Sequence, residues 1–380
     1  MTKAIYLHIP FCQKKCHYCD FNSVSIQGQQ VMDYLDAVKK EIFLTVGLYP
    51  PQKIETIYVG GGTPTILTPN ELEYLLNSLI EYFSEWDKDI EFTVEANPGT
   101  VEPEKLKVLK KYGVNRISLG VQAFQDQLLS FSGRIHDEKD IYRSIENVLN
   151  VGFNNISIDL MYGLPNQTLP MLQESLTKAI KLNLSHYSVY GLKVEEKTRF
   201  YDLYKRNQLP LPDEDEELKM YLLIIDEMKK NGYEQYEISN FAKPGSESRH
   251  NINYWRNGEY YGFGAGAHGF LANNRYENIS GVNQYIKILK EENKLPKANR
   301  YYVSTKENME NTIILGLRML KGISFNDFEK TFNVNLQEKY HQEIDKLTKL
   351  GLLNINNKGI RLTKKGIIYG NNVFSEFISI

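Results

Sequence analysis

Residues 6–21 read YLHIPFCQKKCHYCDF. The β-branched and aromatic residues of KAIYLHIP (3–10) predict a short strand. The loop that follows carries Cys12, Cys16 and Cys19, the three cysteines of a 380-residue chain. Thiols this close together make no obvious disulfide framework, and in a reducing compartment they read as metal ligands or redox groups. Thiolates are soft donors suited to zinc or to iron–sulfur clusters. A structural zinc site normally takes four protein ligands, so His8, His17 or a distant group would have to supply the fourth. A four-iron cluster held by three cysteines instead leaves one iron open to a small molecule.

Outward from this loop the chain alternates. KIETIYVGGGTP (53–64), DIEFTVEANP (89–98), NRISLGVQ (115–122), NISIDLMYGLP (155–165) and HYSVYGLKVE (186–195) are strand-like. Helical patterns lie between them: VMDYLDAVKKEIFLTVGL (31–48), PNELEYLLNSLIEYF (69–83), PEKLKVLKKYGV (103–114), DEKDIYRSIENVLNVGF (137–153) and TLPMLQESLTKAIKL (168–182). In the second helix Leu72, Leu75, Leu76, Leu79, Ile80 and Phe83 are expected on one face, and in the fourth Ile141, Ile145, Val148 and Leu149. Six strands separated by helices predict an α/β fold with a parallel sheet. Six units are too few for a closed eight-stranded barrel, so a partial (β/α)6 barrel is expected. The strands end in His8, Gly60–Gly62, Glu95, Gln122, Asp159 and Tyr190, and a parallel barrel gathers such ends on its reactive face.

The pattern changes after about residue 200. DEDEELKMYLLIIDEMKKNGY (213–233) is a long amphipathic helix whose acidic start complements the helix dipole. A glycine-rich, aromatic segment follows. From about residue 300 the chain reads as three helices and a hairpin, GLLNINNKGIRLTKKG (351–366), a winged-helix-like pattern. The expected organisation is a partial barrel over 1–200, a linking helix and an aromatic β segment covering it over 201–300, and a winged-helix-like module over 301–380. Residues 301–380 hold 11 Lys and Arg against 8 Asp and Glu. That surplus of three is too small for a basic stripe, so a docking or lid module is expected and nucleic acid is not a partner. The whole chain carries 45 Lys and Arg against 47 Asp and Glu, a net charge of −2, which excludes a strong overall field toward nucleic acid or anionic membrane. No apolar run is long enough to span a bilayer, and the N-terminus leads too quickly into the cysteines to be a signal peptide. A cytoplasmic protein is expected.

The C-x3-C-x2-C spacing, with Tyr18 before the last cysteine, resembles the radical S-adenosylmethionine superfamily. That resemblance implies a [4Fe–4S] cluster whose open iron takes the amino and carboxylate groups of S-adenosylmethionine. Reduction by the cluster can cleave the sulfonium to a 5′-deoxyadenosyl radical, which would require an electron donor. YLHIPFC, GGGTPT, VEANP, ISLGVQ, GRIHD, IDLMYGLP and HNINYW together resemble the oxygen-independent coproporphyrinogen III oxidase family over nearly the whole chain. This implies Tyr6 near the cofactor and Tyr18 beside the adenine. It implies Gly61, Gly62 and Thr63 at the methionine amino end, with Glu95, Gln122, Arg134 and Asp159 lining the pocket.

The oxidase pattern has a fourth cysteine two residues after the third, where this chain has Phe21, and an N-terminal extension expected to be missing here. Both departures resemble the HemW-type heme chaperones. That branch implies heme binding and delivery to respiratory or other heme proteins, which would bring the chain to the inner face of the membrane. Oxidative decarboxylation of coproporphyrinogen is the alternative reading. In HNINYW, His250 is the candidate heme-iron donor, with Tyr254 and Trp255 as flat apolar faces. His268, in GAGAHGF, is the weaker candidate because its glycines suggest tight backbone packing. If the three cysteines hold the cluster, Cys16→Ser abolishes the visible thiolate-to-iron absorbance of anaerobically reconstituted protein. Zinc at unit stoichiometry without sulfide would refute the cluster.

Overall fold

The computed structural model describes residues 2–378. Six parallel strands lie side by side in chain order: Ala4–Ile9, Ile54–Gly61, Trp86–Ala96, Arg116–Gln122, Asn155–Tyr162 and His186–Gly191. Successive strands are in parallel register, Ile5 opposite Ile57, Val59 opposite Val94, Leu119 opposite Ile158 and Asp159 opposite Ser188. Each crossover carries a helix, as parallel neighbours require. The predicted helices stand at Val31–Leu48, Pro69–Tyr82, Pro103–Lys111, Glu138–Asn150 and Leu169–Lys181. Two start with reciprocal caps, Thr68 with Glu71 and Asp137 with Asp140, which satisfy backbone donors at the first turn.

The apolar faces differ from expectation at two positions. Leu72, Leu75, Leu76, Leu79 and Phe83 are buried, as are Ile141, Ile145 and Val148, but Ile80 and Leu149 are exposed. Each stands eight positions after the first core residue of its helix. At 3.6 residues per turn that rotates it about 80° from the centre of the stripe.

The sheet extends beyond six strands. Tyr261–Phe263 pairs parallel with the first strand, while Asn240–Ala242 adds antiparallel to the sixth and Glu234–Gln235 pairs antiparallel with that segment in turn. The nine strands form one open sheet, so residues beyond 200 cap both edges of the partial barrel. His268–Leu271, Asn274–Asn278 and Lys297–Tyr302 form a separate antiparallel sheet. The C-terminal module has helices at Thr305–Gly316, Phe325–Phe332 and His341–Lys349, and a hairpin of Leu353–Ile355 with Gly359–Leu362. Its core, which includes Ile313, Phe328, Ile344, Leu347 and Ile360, is separate from that of the barrel. Among the described residues no helix is long and apolar enough to cross a membrane.

The attachment of the antiparallel sheet rests on a buried carboxylate. Glu41, on the first helix, accepts hydrogen bonds from the Gly264 N–H at 2.9 Å, Asn278 Nδ2 at 2.7 Å and Tyr285 Oη at 2.6 Å, and pairs with Lys297 Nζ at 3.1 Å. Removing one partner of a buried pair leaves the other charge uncompensated. Glu41→Ala is therefore expected to cost about 3–5 kcal/mol in urea unfolding, and a loss below about 1 kcal/mol would show that the pair contributes no more than a surface bridge.

Candidate functional site

The C-terminal strand ends gather around the cysteine loop. Cys12 sits in a two-residue strand, Phe11–Cys12, held parallel to Val24–Ser25. The three cysteines are free, half-buried, and line one cavity of about 140 Å³. Tyr18, Gly61, Gly62, Glu95, Gln122, Arg134 and Asp159 line the same cavity. Burial pushes the Cys12 thiol up and the Cys19 thiol up to about 11, so ionised sulfur here needs compensating positive charge from a metal centre or its surroundings.

The sulfurs have donors aimed at them. Arg134 Nη1 is 3.4 Å from Cys16 Sγ, and the Thr63 hydroxyl is 3.6 Å from Cys12 Sγ. Thr63 therefore lies one layer behind the cavity wall. Asn97 links the two: its Nδ2 donates to Thr63 Oγ1 at 2.7 Å and its Oδ1 accepts from Arg134 Nη2 at 2.6 Å. Arg134 Nη2 also donates to the Gly120 carbonyl. Gly62 must be glycine, because a Cβ there would come within 2.6 Å of the Phe11 carbonyl and 3.0 Å of Cys12 Sγ. Gly61, at φ 111°, has left-handed backbone and donates its N–H to Glu95 Oε2 at 3.0 Å. Gln122 also has positive φ, 70°, beside a register shift at the end of its strand, the kind of local strain that concentrates at ligand sites.

A closed zinc site is not assembled. Both ring nitrogens of His8 are engaged, by Tyr6 Oη at 2.9 Å and the Asn22 carbonyl at 2.8 Å. Those of His17 are engaged by the Phe131 carbonyl and Arg199. Among the described residues no three His, Cys, Asp or Glu side chains converge as ligands of a single ion. Three thiols spread around one cavity, with hydrogen-bond donors on two of the sulfurs and a backbone that tolerates no side chain beside Cys12, suit a larger thiolate-bound centre.

Two further cavities share wall residues with this one. The barrel interior holds about 420 Å³, lined by Tyr58, Glu95, Arg116, Ser118, Ser157, Asp159, His186 and Ser188 from successive strands. Burial, and then the Asp159 charge, push Glu95 up to about 7, against hydrogen bonds from Tyr58 and Gly61. Burial pushes Asp159 up to about 6, against hydrogen bonds from Ser188 and Ser118 and the charges of Arg116 and Arg134. The other cavity, about 610 Å³, is lined by Tyr6, Phe21, Tyr58, Tyr190, Tyr254, Tyr260, His250 and His268, and shares Phe21, Gly61 and Glu95 with the thiol cavity. Tyr6 thus belongs to this neighbour rather than to the thiol cavity. Asn97, Tyr58, Arg116 and the barrel serines were not singled out from sequence. Asn97 lies inside the quoted VEANP motif, and the others occupy strand positions that only the sheet turns inward.

His250 is one of the residues around the aromatic cavity. It lies in the helix Arg249–Trp255 and is fully buried. One ring nitrogen is 2.9 Å from Thr56 Oγ1 and the other 2.9 Å from Tyr254 Oη. The ring stacks on Tyr58, and burial lowers its pKa to about 3. In this arrangement both imidazole nitrogens are hydrogen-bonded to hydroxyls. Trp255 faces the C-terminal module, with the Arg318 guanidinium 4.6 Å above its ring, so it does not line the aromatic cavity.

Residues 6–179 match the radical SAM superfamily and residues 303–369 the HemN C-terminal domain. The chain is 43% identical over 376 residues to the heme chaperone HemW of Bacillus subtilis (strain 168), covering 99% of each chain. The chain belongs to the HemW heme-chaperone family. The HemW of Lactococcus lactis subsp. lactis (strain IL1403) is likewise 43% identical, covering 99% of this chain and 97% of that protein. The fold is that of the coproporphyrinogen III oxidase HemN from Escherichia coli, with a TM-score of 0.85 at 24% identity over 98% of this chain and 89% of that one. The HemW-type assignment and the partial barrel with its C-terminal module therefore stand.

Glu95 and Asp159 predict a pH dependence. Each binds its proton more tightly folded than unfolded, so the stability they contribute is fully present below the ordinary carboxylate range. It is lost as pH rises through about 6 for Asp159 and about 7 for Glu95. Urea midpoints of the cofactor-free protein are expected to fall between about pH 5 and about pH 8, and Glu95→Gln to reduce that fall. An unchanged pH profile in the variant would show that Glu95 ionises normally.

Proposed function

We propose that the chain binds heme and passes it to heme-dependent proteins, respiratory enzymes among them. In this reading Cys12, Cys16 and Cys19 hold a [4Fe–4S] cluster, and S-adenosylmethionine binds beside it. The observation that carries the reading is the pair of abutting cavities, one ringed by three thiols and one walled by tyrosines, with Phe21, Gly61 and Glu95 common to both. A cavity of about 610 Å³ lies within the range of small-molecule and cofactor sites, and its aromatic lining suits a flat apolar macrocycle.

The cluster, when bound, supplies a one-electron redox centre with one iron free of protein ligands. The side chains around it have separate tasks. Arg134 and Thr63 donate to sulfur and favour the thiolate form. Glu95 fixes the Gly61 turn and the Tyr58 hydroxyl, which lets Gly61 and Gly62 present backbone groups to the methionine amino end, with Thr63 bracing Cys12 behind them. Asp159 and Gln122 supply acceptors and donors for the ribose, and Tyr18 packs on the adenine. Arg134 balances the carboxylates across the same cavity. His250 acts indirectly by holding Tyr58 and Tyr254 in the wall of the heme cavity. An external electron donor is needed only where the cofactor is cleaved.

Anaerobically reconstituted protein titrated with hemin is expected to develop a saturable Soret band near one heme per chain and to lose it to an added apo-hemoprotein. In the same preparation Asp159→Ala is expected to weaken S-adenosylmethionine binding about 10–100-fold by calorimetry, the loss typical of a hydrogen bond to a charged group. Heme uptake no greater than that of a non-heme control protein would end the chaperone reading. Unchanged affinity in the variant would remove Asp159 from the cofactor site.

A further inference from the structure

The chain has seven histidines, and the structure accounts for the ring nitrogens of most of them. His8, His17 and His250 each have both nitrogens engaged, and so does His186, between Ser157 Oγ at 2.8 Å and Tyr236 Oη at 2.9 Å. His136 is buried, with one ring nitrogen 3.3 Å from the Val121 carbonyl and the other without a partner, but it does not line the aromatic cavity, and His341 lies in the C-terminal module. His268 is different. It is exposed, it lines the aromatic cavity, and among the described residues no hydrogen bond is assigned to its imidazole.

Its strand explains the exposure. His268 begins the antiparallel strand His268–Leu271, whose burial pattern leaves the first side chain outside and the next three inside. The glycines of the segment pack its backbone: a Cβ on Gly262 would collide with the His268 carbonyl. They therefore fix where the strand runs without covering the imidazole. The residue directly opposite on the neighbouring strand is Glu277, which lines the same cavity. Side chains of opposed residues in an antiparallel pair share a face, with Cβ atoms about 4.5–5.5 Å apart. A carboxylate so placed can accept a hydrogen bond from one imidazole nitrogen, fixing the tautomer and leaving the other nitrogen as a donor to a metal. The phenols of the cavity are poorer donors, because burial raises the pKa of Tyr6, Tyr254 and Tyr260 and keeps them protonated.

We propose that His268 is the protein ligand to the iron of heme bound in the aromatic cavity, and that Glu277 is the positioning residue that orients it. This rests on the heme reading above and assigns the iron donor within it. His268→Ala, Glu277→Gln and wild-type protein are each loaded with hemin, with circular dichroism and cluster absorbance as fold controls. The wild type is expected to show the Soret and electron paramagnetic resonance signature of imidazole-ligated iron. His268→Ala is expected to lose that signature, to release heme at least tenfold faster and to regain the signature when free imidazole is added. Glu277→Gln is expected to retain the ligand but to weaken heme binding about 10–100-fold, the usual effect of removing such a partner. If the wild type binds heme and His268→Ala keeps the same signature, the ligand assignment falls while the heme reading stands. If the wild type takes up no heme beyond the control protein, both fall.

Discussion

The site depends on how closely the Gly60–Gly62 turn approaches the exit of the first strand. At Gly62 there is no room for a methyl group between the Phe11 carbonyl and Cys12 Sγ. The second strand can end there only as bare backbone, and its Gly61 N–H is then free to bind Glu95 on the third strand. That contact aligns the ends of three parallel strands. It also sets the distance between the cysteine loop and the rest of the barrel mouth, because Thr63, the next residue, reaches both Cys12 and Asn97. Bulk introduced at the turn would displace the thiol loop and the carboxylate together.

Two kinds of polar group are buried around this mouth, and they behave differently. Glu41 has four partners, including the Lys297 ammonium, and serves as a structural joint. Glu95 and Asp159 face cavities, have mostly neutral hydrogen-bond donors, and are pushed upward by burial. Carboxyls held that way are poorly satisfied without a ligand, which is a property of binding sites more than of cores. The histidines divide similarly. His250 and His186 are locked between hydroxyls, and His268 stands open at the cavity edge.

Much was legible from residues alone. The strands and helices of the first half follow from hydrophobic period and from caps such as Thr68–Glu71, which are local properties. The helical faces were read correctly except at Ile80 and Leu149, where the stripe drifts with the 3.6-residue turn. The cysteine spacing, the glycine turn and the polar strand ends marked the thiol cavity, since a parallel sheet has to bring those ends to one side.

HNINYW shows where sequence reading stops. A histidine beside aromatics suggested a heme ligand, but the short helix that carries it packs His250 beneath Tyr58 and turns Trp255 toward Arg318. GAGAHGF suggested tight backbone packing, and the backbone is indeed tightly packed, yet the His268 side chain at the start of its strand is exposed. The amino-acid sequence by itself determined the α/β order, the thiol triplet and the end of the barrel where chemistry is placed, because these depend on local spacing and on the parallel topology. Only the tertiary structure decided which imidazole stands exposed at the cavity edge and which tyrosines form a common wall. Hydrogen-bond occupancy and side-chain direction are set by neighbours far away in the chain, such as Thr56 against His250, 194 residues apart.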